Sequence, residues 1–147
     1  MKQLIKLNNQ EDILTLLNDF DDVFPHLKEK VSDYKVFSLK LKENAFVYKA
    51  TMNDNVFGMI VFYANNNDTK IAYISLIGIK KEYRTMGLGR YLIDSCIEIS
   101  KLNGMKSLML EVDNDNKNAI GFYRRLGFET YKNATDNSFY MLKEMDD

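Results

Sequence analysis

The stretch Ile77-Gly78-Ile79-Lys80-Lys81-Glu82-Tyr83-Arg84-Thr85-Met86-Gly87-Leu88-Gly89-Arg90 carries the residue types best suited to hold an anion. Gly87 and Gly89 stand where an apolar run gives way to a helical pattern. Glycine has no Cβ, so the backbone can turn tightly there and approach a ligand closely. The first N–H groups of a helix lack internal partners and point outward, and the helix dipole adds about half a positive charge at that end. Arg84 and Arg90 flank the turn with two formal charges. Together these features suit a di- or triphosphate. The plain alternative is a strand–helix turn that binds nothing. A Walker loop would need Gly-x4-Gly-Lys-Ser/Thr, which is absent. A dinucleotide fold would need a third glycine where Leu92 stands, directly after the strand, whereas Lys80 to Met86 intervene here. Glu111 does lie about 20 residues on, where such a fold keeps its ribose-binding acid.

Composition narrows the chemistry further. The chain has one cysteine and one histidine, which excludes an internal disulfide, a histidine cluster and a Cys/His zinc set. No metal is expected. Ser–His–Asp or Cys–His catalysis would have to use His26. Twenty basic and twenty-one acidic residues give a net charge of −1, so no nucleic-acid partner is expected. The longest apolar runs, Val56 to Ala64 and Ile71 to Ile79, fall well short of the ~18–20 residues that span a bilayer. The first residues show no apolar core of a signal peptide. The expectation is a reduced, cytoplasmic protein without a membrane partner. With 147 residues, 46% of them hydrophobic, a single domain over residues 1–147 is expected.

The elements that must position the glycine turn follow from period and punctuation. Lys2 to Leu7 reads as a strand. Asn9 caps a helix from Gln10 to Phe20, with Ile13, Leu16, Leu17 and Phe20 on one face. Pro25 fits the first turn of a second helix, which runs in pieces through Leu27, Val31, Tyr34, Phe37 and Leu41. Ala45 to Met52 and Val56 to Ala64 are strands joined by a turn at Asn53-Asp54-Asn55. Lys70 to Ile79 is apolar enough to be buried on both faces. A helix follows Gly87, with Leu88, Leu92, Cys96 and Ile99 on one face, and stops at Asn103-Gly104. Lys106 to Val112 is a strand and Asn116 to Leu126 a helix. Phe128 to Lys132 and Ser138 to Glu144 are the last strands. The order is β-αα-β-β-β-α-β-α-β-β, a mixed α/β fold with a largely antiparallel sheet. The strand–helix–strand unit from Lys70 to Val112 is expected to be a right-handed parallel crossover.

Arg84-x-x-Gly87-x-Gly89, followed by Asn116-x-x-Ala119-x-x-x-Tyr123-x-x-x-Gly127-Phe128, resembles the GNAT superfamily of N-acetyltransferases. The motifs cover about the last 80 residues; the earlier ones fit by element order alone. The resemblance implies a single N-acetyltransferase domain with acetyl-CoA as co-substrate. It implies a sheet splayed between strands 4 and 5. A bulge near Gly78 would free backbone groups of Ile77 and Ile79 for the pantetheine arm. The pyrophosphate would lie on the N–H groups of Thr85, Met86, Gly87, Leu88, Gly89 and Arg90. Asn116 would contact the pantetheine or hold its loop, and Tyr123 would lie near the sulfur. Thr85-Met86 departs from the commoner Gly-Lys or Gly-Gln type. The resemblance leaves room for a homodimer.

Acetyl transfer to an amine needs a base for the ammonium proton and an acid for the leaving thiolate. Tyr123 is the candidate acid. A tyrosine of pKa near 10 can protonate a thiolate whose thiol has pKa about 8.5 only with assistance; the plain alternative is a core residue on the apolar helix face. Glu111 is the candidate base, on the strand face it shares with Met109 and Asp113. A Leu-Glu-Val run resembles that of the family's ribosomal-protein N-terminal acetyltransferases, whose glutamate is the base. A salt bridge is the plain alternative. Cys96 reads as a buried structural thiol and His26 as surface or substrate loop. Asp19, Asp21 and Asp22 read as a solvated helix end or a lure for a cationic amine. Phe24, Tyr63 and Tyr73 line an acceptor pocket or belong to the core.

The expected function is transfer of an acetyl group from acetyl-CoA to a primary amine by direct attack in a ternary complex, with a small-molecule acceptor placed first. A peptide or protein N-terminal acetyltransferase is the alternative within enzymes. A non-catalytic acyl-CoA-binding domain is the alternative outside them.

Overall fold

The computed structural model describes residues 1–146. Its elements are β1 (Lys2–Lys6), α1 (Gln10–Asp19), α2 (Leu27–Val31), α3 (Tyr34–Asn44), β2 (Phe46–Met52), β3 (Asn55–Tyr63) and β4 (Ile71–Ile79). A 3-10 turn (Lys81–Tyr83) leads to α4 (Leu88–Leu102), β5 (Ser107–Asp113), α5 (Lys117–Arg125), β6 (Glu129–Thr135) and β7 (Ser138–Glu144). This is the element order expected from the sequence, with the second helix broken into α2 and α3. The chain forms two compact units. One comprises Met1–Phe62 and Leu76–Ile93; the other comprises Tyr63–Ser75 and the residues from Asp94 onward.

In the first unit β1, β2 and β3 pair antiparallel, and the second half of β4 follows β3 in the strand order. The β2–β3 hairpin turns on Asn53 and Asp54, at φ 50° and 69°. A hairpin turn of type I′ places both central residues in the left-handed region, and Asn and Asp tolerate that best after glycine. The Asn9 side chain caps α1 by accepting from the Asp12 N–H at 2.9 Å. The face Ile13, Leu16, Leu17 and Phe20 is buried, as its spacing demands. A Cβ on Gly78 would stand 2.7 Å from Phe24 Cζ and 2.8 Å from Val23 Cγ1. Only glycine lets the segment after α1 rest on the β4 backbone.

Tyr34 on α3 is buried and donates from its hydroxyl to Asp21 Oδ1 at 2.8 Å. Burial first, then the hydrogen bond to Asp21 and its charge, push the phenol from 10.0 up to about 12. The unfolded chain therefore ionises first as pH rises. The contribution to stability is whole below pH 10 and is lost progressively between about 10 and 12. Tyr34→Phe is expected to flatten that stretch of the stability curve. Thermal midpoints of both proteins at pH 9 and 11.5 check it: the wild type should lose more than the variant between the two.

In the second unit β4 pairs parallel with β5, from Ile71↔Ser107 to Ile74↔Leu110. β5 pairs antiparallel with β7, and β7 with β6, so β6 is the edge strand. β4 departs from expectation. Ala72 and Ile74 are buried, Tyr73 is half-buried and Ser75 exposed. A mostly antiparallel sheet can leave one face open, and apolar composition alone does not reveal which residues face out. α4 ends at Leu102, and two residues on stands Gly104 at φ 85°, the left-handed residue that commonly follows a helix.

Candidate active site

The glycine turn belongs to the first unit. The Lys80 N–H donates to the Phe57 carbonyl at 2.8 Å. Phe57 takes the rings of Tyr83 and Tyr91 at 6.0 and 6.2 Å, so β3 anchors both ends of the turn. Lys80 Nζ also pairs with Asp19 at 2.7 Å, which accounts for one member of the acidic cluster; Asp21 is held by Tyr34. Arg84 Nε donates to the Ile79 carbonyl at 3.1 Å, so this arginine braces the strand end as well as charging the turn. Thr85 and Gly87 lie at φ 71° and 73°. Such left-handed residues turn successive N–H groups into a concave, anion-favouring arrangement. Residues 84–87 are exposed, and Leu88 is buried where α4 begins. A β-branched residue rarely adopts a left-handed φ, and doing so costs roughly 1–3 kcal/mol. Thr85 thus bears that strain where glycine would be relaxed.

The proton-handling candidates belong to the second unit. Glu111 is exposed on β5, and its register partner on β7 is Tyr140. Tyr73 lies on the adjoining strand, with its ring edge-on to that of Tyr140 at 6.4 Å. Burial, then the charge of Glu111, then Tyr140, push the Tyr73 phenol up to about 12. It therefore stays neutral at working pH and can donate. Ser138 donates to Glu111 Oε2 at 2.6 Å. The structure thus sets a carboxylate among two phenols and a hydroxyl.

Asn116 caps α5, its Oδ1 accepting from the Ala119 N–H at 3.2 Å. Tyr123 follows two turns on, its ring 5.3 Å from Phe122 and 5.6 Å from Phe128. It is half-buried rather than sealed in the core, and burial raises its phenol above the ordinary value. His26 is exposed beside Glu29 at 3.2 Å. Cys96 is buried against Ser100, and its thiol is pushed up to about 12 by burial, partly offset by that contact. A thiol so held does not supply a nucleophile. Among the described residues no group of His, Cys, Asp and Glu could hold a metal, and no helix is long and apolar enough to cross a membrane.

Sequence reasoning missed Ser138 and Tyr140 and gave Tyr73 only a lining role. The available signal was the parity of β7: a register pairing Tyr140 with Glu111 puts Ser138 on the same face, two residues along. Register was not legible from one strand alone.

Residues 11–128 match the Acetyltransferase (GNAT) family. The chain is 33% identical over 118 residues to N-alpha-acetyltransferase 30 of Schizosaccharomyces pombe, covering 74% of this chain and 77% of that protein. A structure assigned to the GNAT family, from Desulfovibrio desulfuricans, superimposes with a TM-score of 0.81 at 17% identity, over 99% of this chain and 100% of the other. A Bacillus anthracis protein assigned as a streptothricin acetyltransferase, solved with acetyl coenzyme A, matches at 31% identity and a TM-score of 0.62. That match covers 70% of this chain and 64% of the other. The chain belongs to the Acetyltransferase (GNAT) family and is an acetyl-CoA-dependent acetyltransferase.

Proposed function

We propose that residues 1–147 form one N-acetyltransferase domain whose acceptor is the α-amino group of a peptide or protein. The sequence placed that acceptor second, after a small-molecule amine. Two things move it forward. The 33% identical relative is named as an N-alpha-acetyltransferase. The observation that carries the reading is the exposed Glu111 carboxylate among Tyr73, Tyr140 and Ser138. An ammonium is drawn to a carboxylate and to aromatic rings alike, and a phenol hydroxyl can donate to the carbonyl of a first peptide unit. The streptothricin-assigned relative supports the small-molecule reading as the second.

In this reading Glu111 takes a proton from the acceptor's ammonium. The freed nitrogen pair attacks the thioester carbonyl and a C–N bond forms; the C–S bond breaks as Tyr123 gives its proton to the leaving sulfur, and the nitrogen's surplus proton passes through solvent to restore the Tyr123 phenol, leaving a neutral amide. The N–H groups from Thr85 to Arg90, with the charges of Arg84 and Arg90, take the pyrophosphate, and the backbone of Ile77 and Ile79 takes the pantetheine arm. Asn116 keeps the start of α5 in place.

A panel of acceptors tests the proposal. It sets short peptides with free N-termini against the same peptides N-formylated, and against polyamines and a streptothricin. Free-amine peptides are expected to show the highest kcat/KM, by about ten-fold or more, and formylated ones none. Faster turnover of the small amines would overturn the peptide acceptor and leave the acetyl transfer standing.

A further inference from the structure

The Glu111 carboxylate sits at the end of a directed chain of hydrogen bonds. Ser138 Oγ donates to Glu111 Oε2 at 2.6 Å. A serine hydroxyl has one proton to give, so in its 2.7 Å contact with Thr135 Oγ1 the serine accepts and the threonine donates. Thr135 Oγ1 in turn accepts from the Asn137 N–H at 3.1 Å. The run is therefore Asn137 N–H to Thr135 to Ser138 to carboxylate, each link pointing the same way. Linked hydrogen bonds of one direction polarise one another.

The local structure looks built for this. β6 and β7 join through a two-residue turn at Asp136 and Asn137. The ladder steps from Asn133↔Phe139 to Thr135↔Ser138, so one residue of β7 faces two of β6. That irregularity at Ala134 is what sets Thr135 opposite Ser138; bulges commonly re-aim a side chain in this way. The turn is fastened to the end of β5, where the Asn114 N–H donates to the Asn137 carbonyl at 2.8 Å. Ser138 is 3% exposed, so water does not readily replace it as the donor.

We infer that Ser138 is a positioning residue for the acetyl transfer. Backed by Thr135, it holds Oε2 so that Oε1 of Glu111 receives the acceptor's proton. A freely rotating carboxylate at an exposed position would spend much of its time misdirected, and orientation is a large part of what a catalytic base contributes. The inference rests on Glu111 being the base, as proposed above.

The experiment is a double-mutant cycle with rescue. Ser138→Ala is expected to lower kcat about ten- to hundred-fold, the scale of one hydrogen bond to a charged group, with the KM for acetyl-CoA within two-fold. Ser138→Thr, which keeps the hydroxyl, is expected to retain most of the rate. Thr135→Val, at an exposed position that tolerates change, is expected to lose a few-fold and guards against a misfolded alanine variant. Ser138→Ala made on top of Glu111→Gln is expected to cost less than two-fold more. An equal loss from Ser138→Ala in both backgrounds, or none in the wild type, would overturn the positioning role while leaving the base intact. A Glu111→Gln protein with near-normal kcat would overturn both, because the base itself would be elsewhere.

Discussion

Tyr123→Phe is expected to lower kcat by about 10²–10⁴-fold, the usual range for loss of a general acid, with acetyl-CoA affinity unchanged within two-fold. The substitution isolates one atom. The ring contacts to Phe122 and Phe128 are aromatic and survive in phenylalanine, so α5 should keep its place and only the proton is lost. Burial raises the phenol above 10.0, which keeps it protonated throughout the range in which an amine acceptor is useful. Below about pH 9 no falling limb in the wild-type rate is therefore expected from this residue. Calorimetry with acetyl-CoA and steady-state thiol release, on both proteins, give the two numbers. A fully active variant would reduce Tyr123 to a packing residue.

Glu111→Gln is the companion. The amide keeps the length and one acceptor oxygen for Ser138 but cannot take a proton. The expected loss in kcat/KM for an ordinary alkylamine is about 10²–10⁴-fold. An acceptor whose amine is already neutral at the assay pH should lose far less, because the step that Glu111 serves has been done for it. Equal losses for both acceptors would mean that the carboxylate binds or orients the amine rather than deprotonating it. No loss for either would leave water as the base.

The parts of the fold set by local rules were legible in advance. Asn9 and Asn116 announced helix starts, Gly104 a helix end, and Asn53-Asp54 a hairpin. The glycine turn was legible because Arg84, Gly87, Gly89 and Arg90 fall together where a helical pattern begins. What escaped depends on pairing between distant strands. β4 looked buried on both faces because Ile, Ala and Tyr give the same apolar signal whichever way they point. Tyr140 and Ser138 looked like ordinary strand residues until their register with Glu111 and Asp113 was known. The bulge at Ala134 leaves no mark in composition at all. Roles that need one residue are readable from spacing, whereas roles that need three strands in register are not.

Cys96 is the chain's one cysteine, buried with its thiol pushed up to about 12. It should stay silent toward disulfide dyes while the protein is folded. Every thiol that such a dye registers during turnover then comes from the product, so a simple absorbance trace counts reaction events without a protein background. The same silence ends on unfolding, when one equivalent of dye per chain reports the loss of structure.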